Sequence, residues 1–460
     1  MKDKKNQFIN KFQALIENND INLYQDNELK KIGFYLNKKY LKNIFFPSLI
    51  TASNKHLISR IEANEKKVNK NNQVINYIID ITTEALFDSN FRKQIHYGPT
   101  KNEVAIKVKN AYNQNEPIIL VGLMFTRKNI CPLKTGLGDE SDIDFAEIAS
   151  LIHLNNFARL ISYFYPKGCR FIILSEGTRF LKAFDLCYPL VKLYQKKLKN
   201  IVKKFNLNHI EIYDYEDFLS THLDTKIKEQ RIENYKKAKK IYEERMIPIF
   251  NPYNFEKTIK FAIKADPIKD PKNPKNNFVP LWESIKNSLP YPEISIIAQE
   301  KGISYTNLYR NVMQNLFNIR KDPVLEKLRI YVLKRSWEKA IEHNAQVLGD
   351  TLTKLDPAKL LSTNAFRTSI NPKPGSHLGI LCTKETTSRV QPWHGKAYVK
   401  ADGIGRISTT ILTRLEIEGV YNGLPVFAED YDKTPFLYAD EKIYSKLLNQ
   451  SEIEFNMATR

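Results

Sequence analysis

The 460-residue chain has little cysteine and a deficit of acid. Four cysteines, Cys131, Cys169, Cys187 and Cys382, form no C-x-x-C pair, which argues against a disulfide scaffold and a cysteine zinc site. No stretch approaches the roughly 18 apolar residues that a membrane span needs. The N-terminus, Met1-Lys2-Asp3-Lys4-Lys5, leads into an amphipathic segment rather than an apolar signal core. A soluble, cytoplasmic protein in a reducing compartment is expected. No internal repeat, P-loop or G-x-G-x-x-G fingerprint is present.

What is present is positive charge. There are 71 basic and 51 acidic residues, for a formal charge of +20. Such an excess suits nucleic acid, anionic lipid or phosphorylated metabolites. The accompanying wealth of Asn, Ile and Lys has a plainer reading, lysines on solvated faces. With 42% hydrophobic residues the chain has enough apolar mass for a core, and its length suits two to three domains.

Residues 1–74 read as a polar helical extension. Phe8, Phe12, Leu15 and Ile16 recur at helical spacing, as do Leu29, Ile32, Leu36 and Tyr40. The core begins at 75. Short buried strands at Pro117–Leu123, Arg170–Leu174 and His209–Tyr213 alternate with helices at Asp144–Tyr165 and Asp185–Phe205. This alternation predicts an α/β fold, an open, mostly parallel Rossmann-like sheet flanked by helices. Such sheets bind ligands beyond the carboxyl ends of their strands.

The first part of this core is expected to run over 75–265. A Pro- and Lys-rich connection and a helix-turn-helix-like segment make a small helical insertion at 266–323. The core then resumes over 324–460, with a helix at Val324–His343 and strands near 366–370, 378–382, 397–399 and 415–421. The cadence Ala298…Gly302-Ile303-Ser304 supports a nucleic-acid-binding alternative, in which Tyr305, Thr306, Asn307 and Arg310 would face a groove.

Four clusters carry chemistry. Phe125-Thr126-Arg127-Lys128 puts two cations just past a strand. Ser175-Glu176-Gly177-Thr178-Arg179 puts a carboxylate at a second strand end. Arg367-Thr368-Ser369-Ile370-Asn371 and His377 follow later, and Pro392-Trp393-His394 sets an imidazole beside an indole. Arginine takes carboxylate or phosphate in bidentate fashion, and histidine exchanges protons near neutrality. No His/Asp/Glu group has metal-ligand spacing.

In this order the pieces resemble the isonitrile (isocyanide) synthase family, which also covers the fungal enzyme of dityrosine spore-wall formation. The resemblance rests on Phe125–Asn129, Asp144-Phe145-Ala146-Glu147, Tyr165-Pro166-Lys167-Gly168, Ser175-Glu176-Gly177, Arg335-Ser336, Arg367–Pro372, His377–Ile380 and Pro392-Trp393-His394. The chain departs from the family where Glu176 replaces Asp, Asn371 replaces His, His377 replaces Lys and Thr126 replaces Pro. A divergent member is expected, and an altered relative acting on another amine is the further alternative.

The resemblance implies condensation of the α-amine of an amino acid, aromatic in the family, with the ketone of ribulose 5-phosphate in secondary metabolism, without a metal or cofactor. It assigns Lys128, Glu176 and His394 to catalysis. Arg127, Ser175, Arg179, Arg335, Ser336, Arg367, Ser369, Asn371, His377 and Trp393 would bind substrate, Arg335 and Ser336 taking the phosphate. The partners would be these small molecules.

Overall fold

The computed structural model describes residues 34–69, 73–93, 98–129, 131, 134–135, 138, 141–268, 277–317, 322–370, 377–383, 390–431 and 434–456. The strands are β1 (Phe34–Leu36), β2 (Ile118–Leu123), β3 (Cys169–Ser175), β4 (Ile210–Asp214), β5 (Phe366–Ser369), β6 (Leu378–Gly379), β7 (Lys396–Ala401), β8 (Ile407–Leu412), β9 (Leu424–Ala428) and β10 (Leu437–Ala439). The helices used below are α1 (Phe46–Glu65), α2 (Phe145–Phe164), α3 (Tyr188–Lys204), α4 (Thr225–Met246), α5 (Phe278–Lys286), α6 (Pro292–Glu300), α7 (Tyr305–Gln314), α8 (Pro323–Leu352) and α9 (Arg414–Gly419).

The expected α/β sheet is there. Its order is β4-β3-β2-β5-β6 and every pairing is parallel. The strands β2 and β3 read as continuous apolar runs because both faces are covered. Chain order runs outward from β2 in both directions, so the topological switch point lies between β2 and β5. In open α/β sheets that is where the carboxyl-end loops part and leave a crevice.

A second sheet, which the sequence reading did not foresee, has the order β1-β9-β10-β7-β8 and mixes parallel and antiparallel pairs. Helix α2 shares one apolar core with both sheets, and sixteen of its twenty residues are buried. A helix covered on all sides must be apolar all round, and Ile148, Leu151, Ile152, Leu154, Phe157, Leu160 and Ile161 supply this.

Three expectations need correction. Residues 34–69 are not a separate helical extension: β1 joins the second sheet, and Leu49, Ala52 and Leu57 of α1 enter the central core. The periodic apolar residues before 34 lie outside the described residues. The strand expected at 415–421 is instead a helix, Arg414–Gly419, and a turn, because Thr413 and Glu416 form a capping box that opens α9. The insertion at 266–323 does not pack by itself: its α5, α6 and α7 share one core with α4 and α8, around Tyr242, Trp282, Tyr309 and Trp337.

Within that layer, α6 and α7 do form the expected helical hairpin, but α7 turns Thr306, Leu308, Tyr309 and Val312 inward. Of the four residues expected to face a groove, Thr306 is buried, Tyr305 and Arg310 are half-buried, and Asn307 is exposed. Among the described residues no helix is long and apolar enough to cross a membrane.

Helices α4 and α8 pack so closely that a Cβ on Gly349 would lie 2.8 Å from the Tyr235 Cα. Backbone cannot yield as a flexible side chain does. Gly349→Ala is expected to cost about 1–3 kcal/mol. Gly419→Ala, where a Cβ meets nothing within 4 Å, is expected to stay within about 1 kcal/mol of the parent. Urea unfolding of the three proteins checks this.

Candidate active site

The site begins where β2 ends. Phe125 takes a left-handed backbone (φ 55°) and turns the chain sharply. Its ring packs on Trp393 at 4.8 Å between centroids. The next three side chains, Arg127, Lys128 and Asn129, are then carried inward, each at most 3% exposed. The turn after β3 closes against this loop. A Cβ at Gly177 would sit 2.4 Å from the Thr126 carbonyl oxygen, so only glycine fits there.

Helix α2 opens on the same side with a capping box. The Asp144 carboxylate accepts from the Ala146 amide, and Glu147 accepts from the Asp144 amide. Two carboxylates therefore stand at a helix N-terminus, where the helix dipole favours negative charge. The Lys128 Nζ lies 2.6 Å from Asp144 Oδ2 and donates to both Glu147 oxygens at 2.9 and 3.0 Å. It also reaches the carbonyls of Pro392 and Gly395 at 3.3 and 3.2 Å. The Lys396 Nζ lies 2.8 Å from the same Asp144 oxygen and donates to Thr434 Oγ1 and the Pro435 carbonyl. The Tyr194 hydroxyl donates to Glu147 at 3.3 Å.

Two lysines and two carboxylates thus form a closed, buried quartet. Burial pulls the Lys128 ammonium down, but Asp144 and Glu147 more than reverse it, so its pKa stands above the ordinary lysine value. Burial pushes Asp144 up, and Lys128 and Lys396 bring it below the ordinary carboxylate range. Glu147 is pushed up to about 8 by burial and then by Asp144. Burial also lowers Lys396, only partly offset by Asp144.

Beside the quartet is a cationic mouth. Arg127 donates to the carbonyls of Lys128 and Ser288 at 2.8 and 2.7 Å, with its guanidinium 5.6 Å from the centroid of the Phe184 ring. Asn129 donates to Ser288 Oγ at 3.1 Å, and Lys134 Nζ donates to the same oxygen at 3.4 Å. Burial and then Arg127 act to lower the Lys134 pKa. His394 keeps part of its surface open. Its pKa falls well below the ordinary histidine value through burial and then the charges of Lys134, Arg127 and Lys128. The imidazole is therefore neutral at pH 7 and a weaker base than a free histidine.

Of the expected site residues, Arg127, Lys128, Trp393 and His394 come together here. Lys128, expected in catalysis, is surrounded by five oxygens and ties down the 392–395 turn. Trp393 is buried against Phe125 and acts as a wall.

Glu176 and Arg179 form a separate network. Arg179 pairs with Glu176 and with Asp350 at 2.6 Å, and Asp350 pairs with Arg231 at 2.7 Å. Glu176 is thus tied into an ion-pair network with Arg179. Ser175 is fully buried, donating to the Phe125 carbonyl and accepting from Gln195. Ser336 is also fully buried, holding the Trp282 indole NH at 2.9 Å inside the helical core, and is not a phosphate ligand. Arg335, its helix neighbour, pairs with Asp185 at 2.8 Å and donates to the Tyr331 hydroxyl. Arg367 and Ser369 are half-buried on β5, across the switch point from β2, and His377 is buried just before β6. Asn371 lies outside the described residues.

Sequence reasoning missed Asp144, Glu147, Lys396 and Lys134 as parts of the site. The signal for the first two was present, since D-x-x-E before an apolar run marks a capping box. Lys134 and Lys396 carried no local signal. Among the described residues no group of three or more His, Cys, Asp or Glu is arranged to hold a metal ion.

Lys128→Met strips the buried Asp144 and Glu147 carboxyl groups of the cation they share and is expected to cost about 3–5 kcal/mol. Adding Glu147→Gln to it should restore part of the loss. Alone, Glu147→Gln tests the pH dependence. From about 4.5 to about 8 the folded protein keeps a proton on Glu147 that the unfolded chain releases, so stability falls as pH rises. The glutamine variant should flatten that fall in melting curves across the window.

Residues 108–268 match the profile of the pyoverdine/dityrosine biosynthesis protein family. That span holds β2, β3, β4 and α2, and with them Arg127, Lys128, Asp144, Glu147 and Glu176. The chain is also similar to L-tyrosine isonitrile synthase of Pseudomonas aeruginosa, with 23% identity over 286 residues, covering 61% of this chain and 70% of that protein. The crystal structure of the PvcA protein of Pseudomonas aeruginosa aligns at a TM-score of 0.44 and 18% identity, over 78% of this chain and 99% of that one. Over residues 108–268, the chain is thus similar to the pyoverdine/dityrosine biosynthesis family.

Proposed function

We propose that the chain is an isonitrile synthase-like enzyme. It joins the α-amine of an amino acid, aromatic as in the tyrosine enzyme it is similar to, to the ketone carbon of a pentulose phosphate such as ribulose 5-phosphate. The observation that carries the reading is a partly open His394 beside Arg127 and Lys134, in the turn that Lys128 ties to the loop past the carboxyl end of β2.

The chemistry asks for such a site. An amino acid arrives with its amine protonated, and the ammonium must lose a proton before nitrogen attacks a ketone. His394 can take that proton once the substrates' anions offset the cations that hold its pKa down. As amine and ketone become an imine, one water leaves, and the imidazolium can return the proton to the departing hydroxyl group. The carboxylate and phosphate of the substrates need cations in a dry site, where charge acts more strongly than in water. Arg127 and Lys134 meet that need past β2, and Arg367, on β5 opposite Val121, is the further candidate. Anion binding beside His394 offsets the field of Lys134 and Arg127 and raises its basicity as substrate enters.

In this reading Lys128 and Glu147 hold the His394 turn, and Glu176 and Arg179 brace the β3 turn. The roles expected for Ser175 and Ser336 pass to the scaffold. Incubation with tyrosine, other aromatic amino acids and ribulose 5-phosphate, followed by mass spectrometry, should show the amine converted to an isonitrile. His394→Ala is expected to lower kcat by about 10²-fold or more, and Arg127→Gln to raise KM. Full turnover in both variants would contradict the proposal.

A further inference from the structure

At the other end of the parallel sheet, where the chain enters β4, is a cavity of about 340 Å³. It is walled by α1, α2 and the 205–209 loop. Its lining includes Arg159, His209, Ser53 and five asparagines, Asn54, Asn155, Asn156, Asn206 and Asn208, and no Asp or Glu. Arg159 donates through Nη1 to Asn54 and Asn156 carbonyl oxygens at 2.8 and 3.2 Å. It has no carboxylate partner among the described residues, and burial acts to lower its pKa. A half-buried guanidinium without a counter-charge is costly unless something else supplies one.

The surroundings are built to present donors. Asn156 is fixed by donating to the Ser53 carbonyl and hydroxyl at 2.9 and 2.6 Å, which orients its own oxygen toward Arg159. Asn155 accepts from the His209 amide at 3.2 Å, which leaves its amide NH₂ as the donor end. Asn206 has a left-handed backbone (φ 51°), and Asn206 and Asn208 are exposed on the rim. The last turn of α3, just before this loop, carries Lys203 and Lys204.

We infer that this cavity is a second binding site, for a small oxyanion-bearing polar metabolite whose carboxylate or phosphate pairs with Arg159 and whose hydroxyl or amide groups meet the asparagines. It is separate from the active site. Arg159 lies twelve residues along α2 from Glu147, about 18 Å at 1.5 Å per residue. The inference does not rest on the proposed reaction.

The test is calorimetric titration of the full chain with inorganic phosphate and, separately, malonate, at constant ionic strength. Arg159→Gln removes the guanidinium, and Asn208→Asp sets a repelling carboxylate on an exposed rim position with little risk to folding. The inference predicts a binding event that persists in Arg127→Gln and weakens at least tenfold in both Arg159→Gln and Asn208→Asp. Loss for phosphate alone or malonate alone identifies the anion. Wild-type isotherms for both probes in Arg159→Gln or in Asn208→Asp, or no Arg159-dependent event at millimolar probe, would overturn it.

Discussion

The pairing of Lys128 with Asp144 and Glu147 is the constraint on which the site depends. One ammonium ties the loop after β2 to the first turn of α2 and to the carbonyls on either side of His394. Lys396 extends the tie into the second sheet through the same Asp144 oxygen. Burying four ionisable groups is expensive, and apolar residues of similar volume would often be as stable. What the quartet supplies is register. Oil-like contacts tolerate sliding, whereas a lysine held between two carboxylates and two carbonyls fixes one geometry. The neutral imidazole then faces Arg127 and Lys134 because its turn has no other place to go.

Much of the parallel sheet was legible in the sequence. Strands β2 and β3 are short apolar runs bounded by turn residues, β4 alternates Ile with Glu and Tyr, and α2 has an apolar run too long for a strand. The second sheet was not legible. Its strands are three to six residues long, two of its four pairings are parallel, and β1 pairs with β9 across nearly the whole chain. Local pattern does not encode partners so distant. The misread at 415–421 has a different cause. Leu415, Ile417 and Val420 look strand-like, and the Thr413/Glu416 box that decides for helix was overlooked.

The site was legible in part, and for a physical reason. Residues just past a strand sit at the sheet's carboxyl end whatever else the chain does, so Arg127 and Lys128 were found. Position along a strand does not say which way a side chain turns. Ser175 and Ser336 had suitable chemistry but point into packed interior. Glu176 sits where a base was expected, yet Arg179, three residues on, and Asp350, from the end of α8, absorb it into an ion network. Lys134 reaches the mouth only because Ser288, from the helical layer, lies opposite.

The central claim is that Lys134, Arg127 and Lys128 converge on a buried but accessible imidazole. The direct measurement is the NMR titration of His394, assigned among the eight histidines by its absence in His394→Gln. The account predicts a ring that stays neutral from pH 8 down through the ordinary histidine range, and a pKa that rises when phosphate is added. A free-protein titration at the ordinary histidine value, indifferent to phosphate, would contradict it.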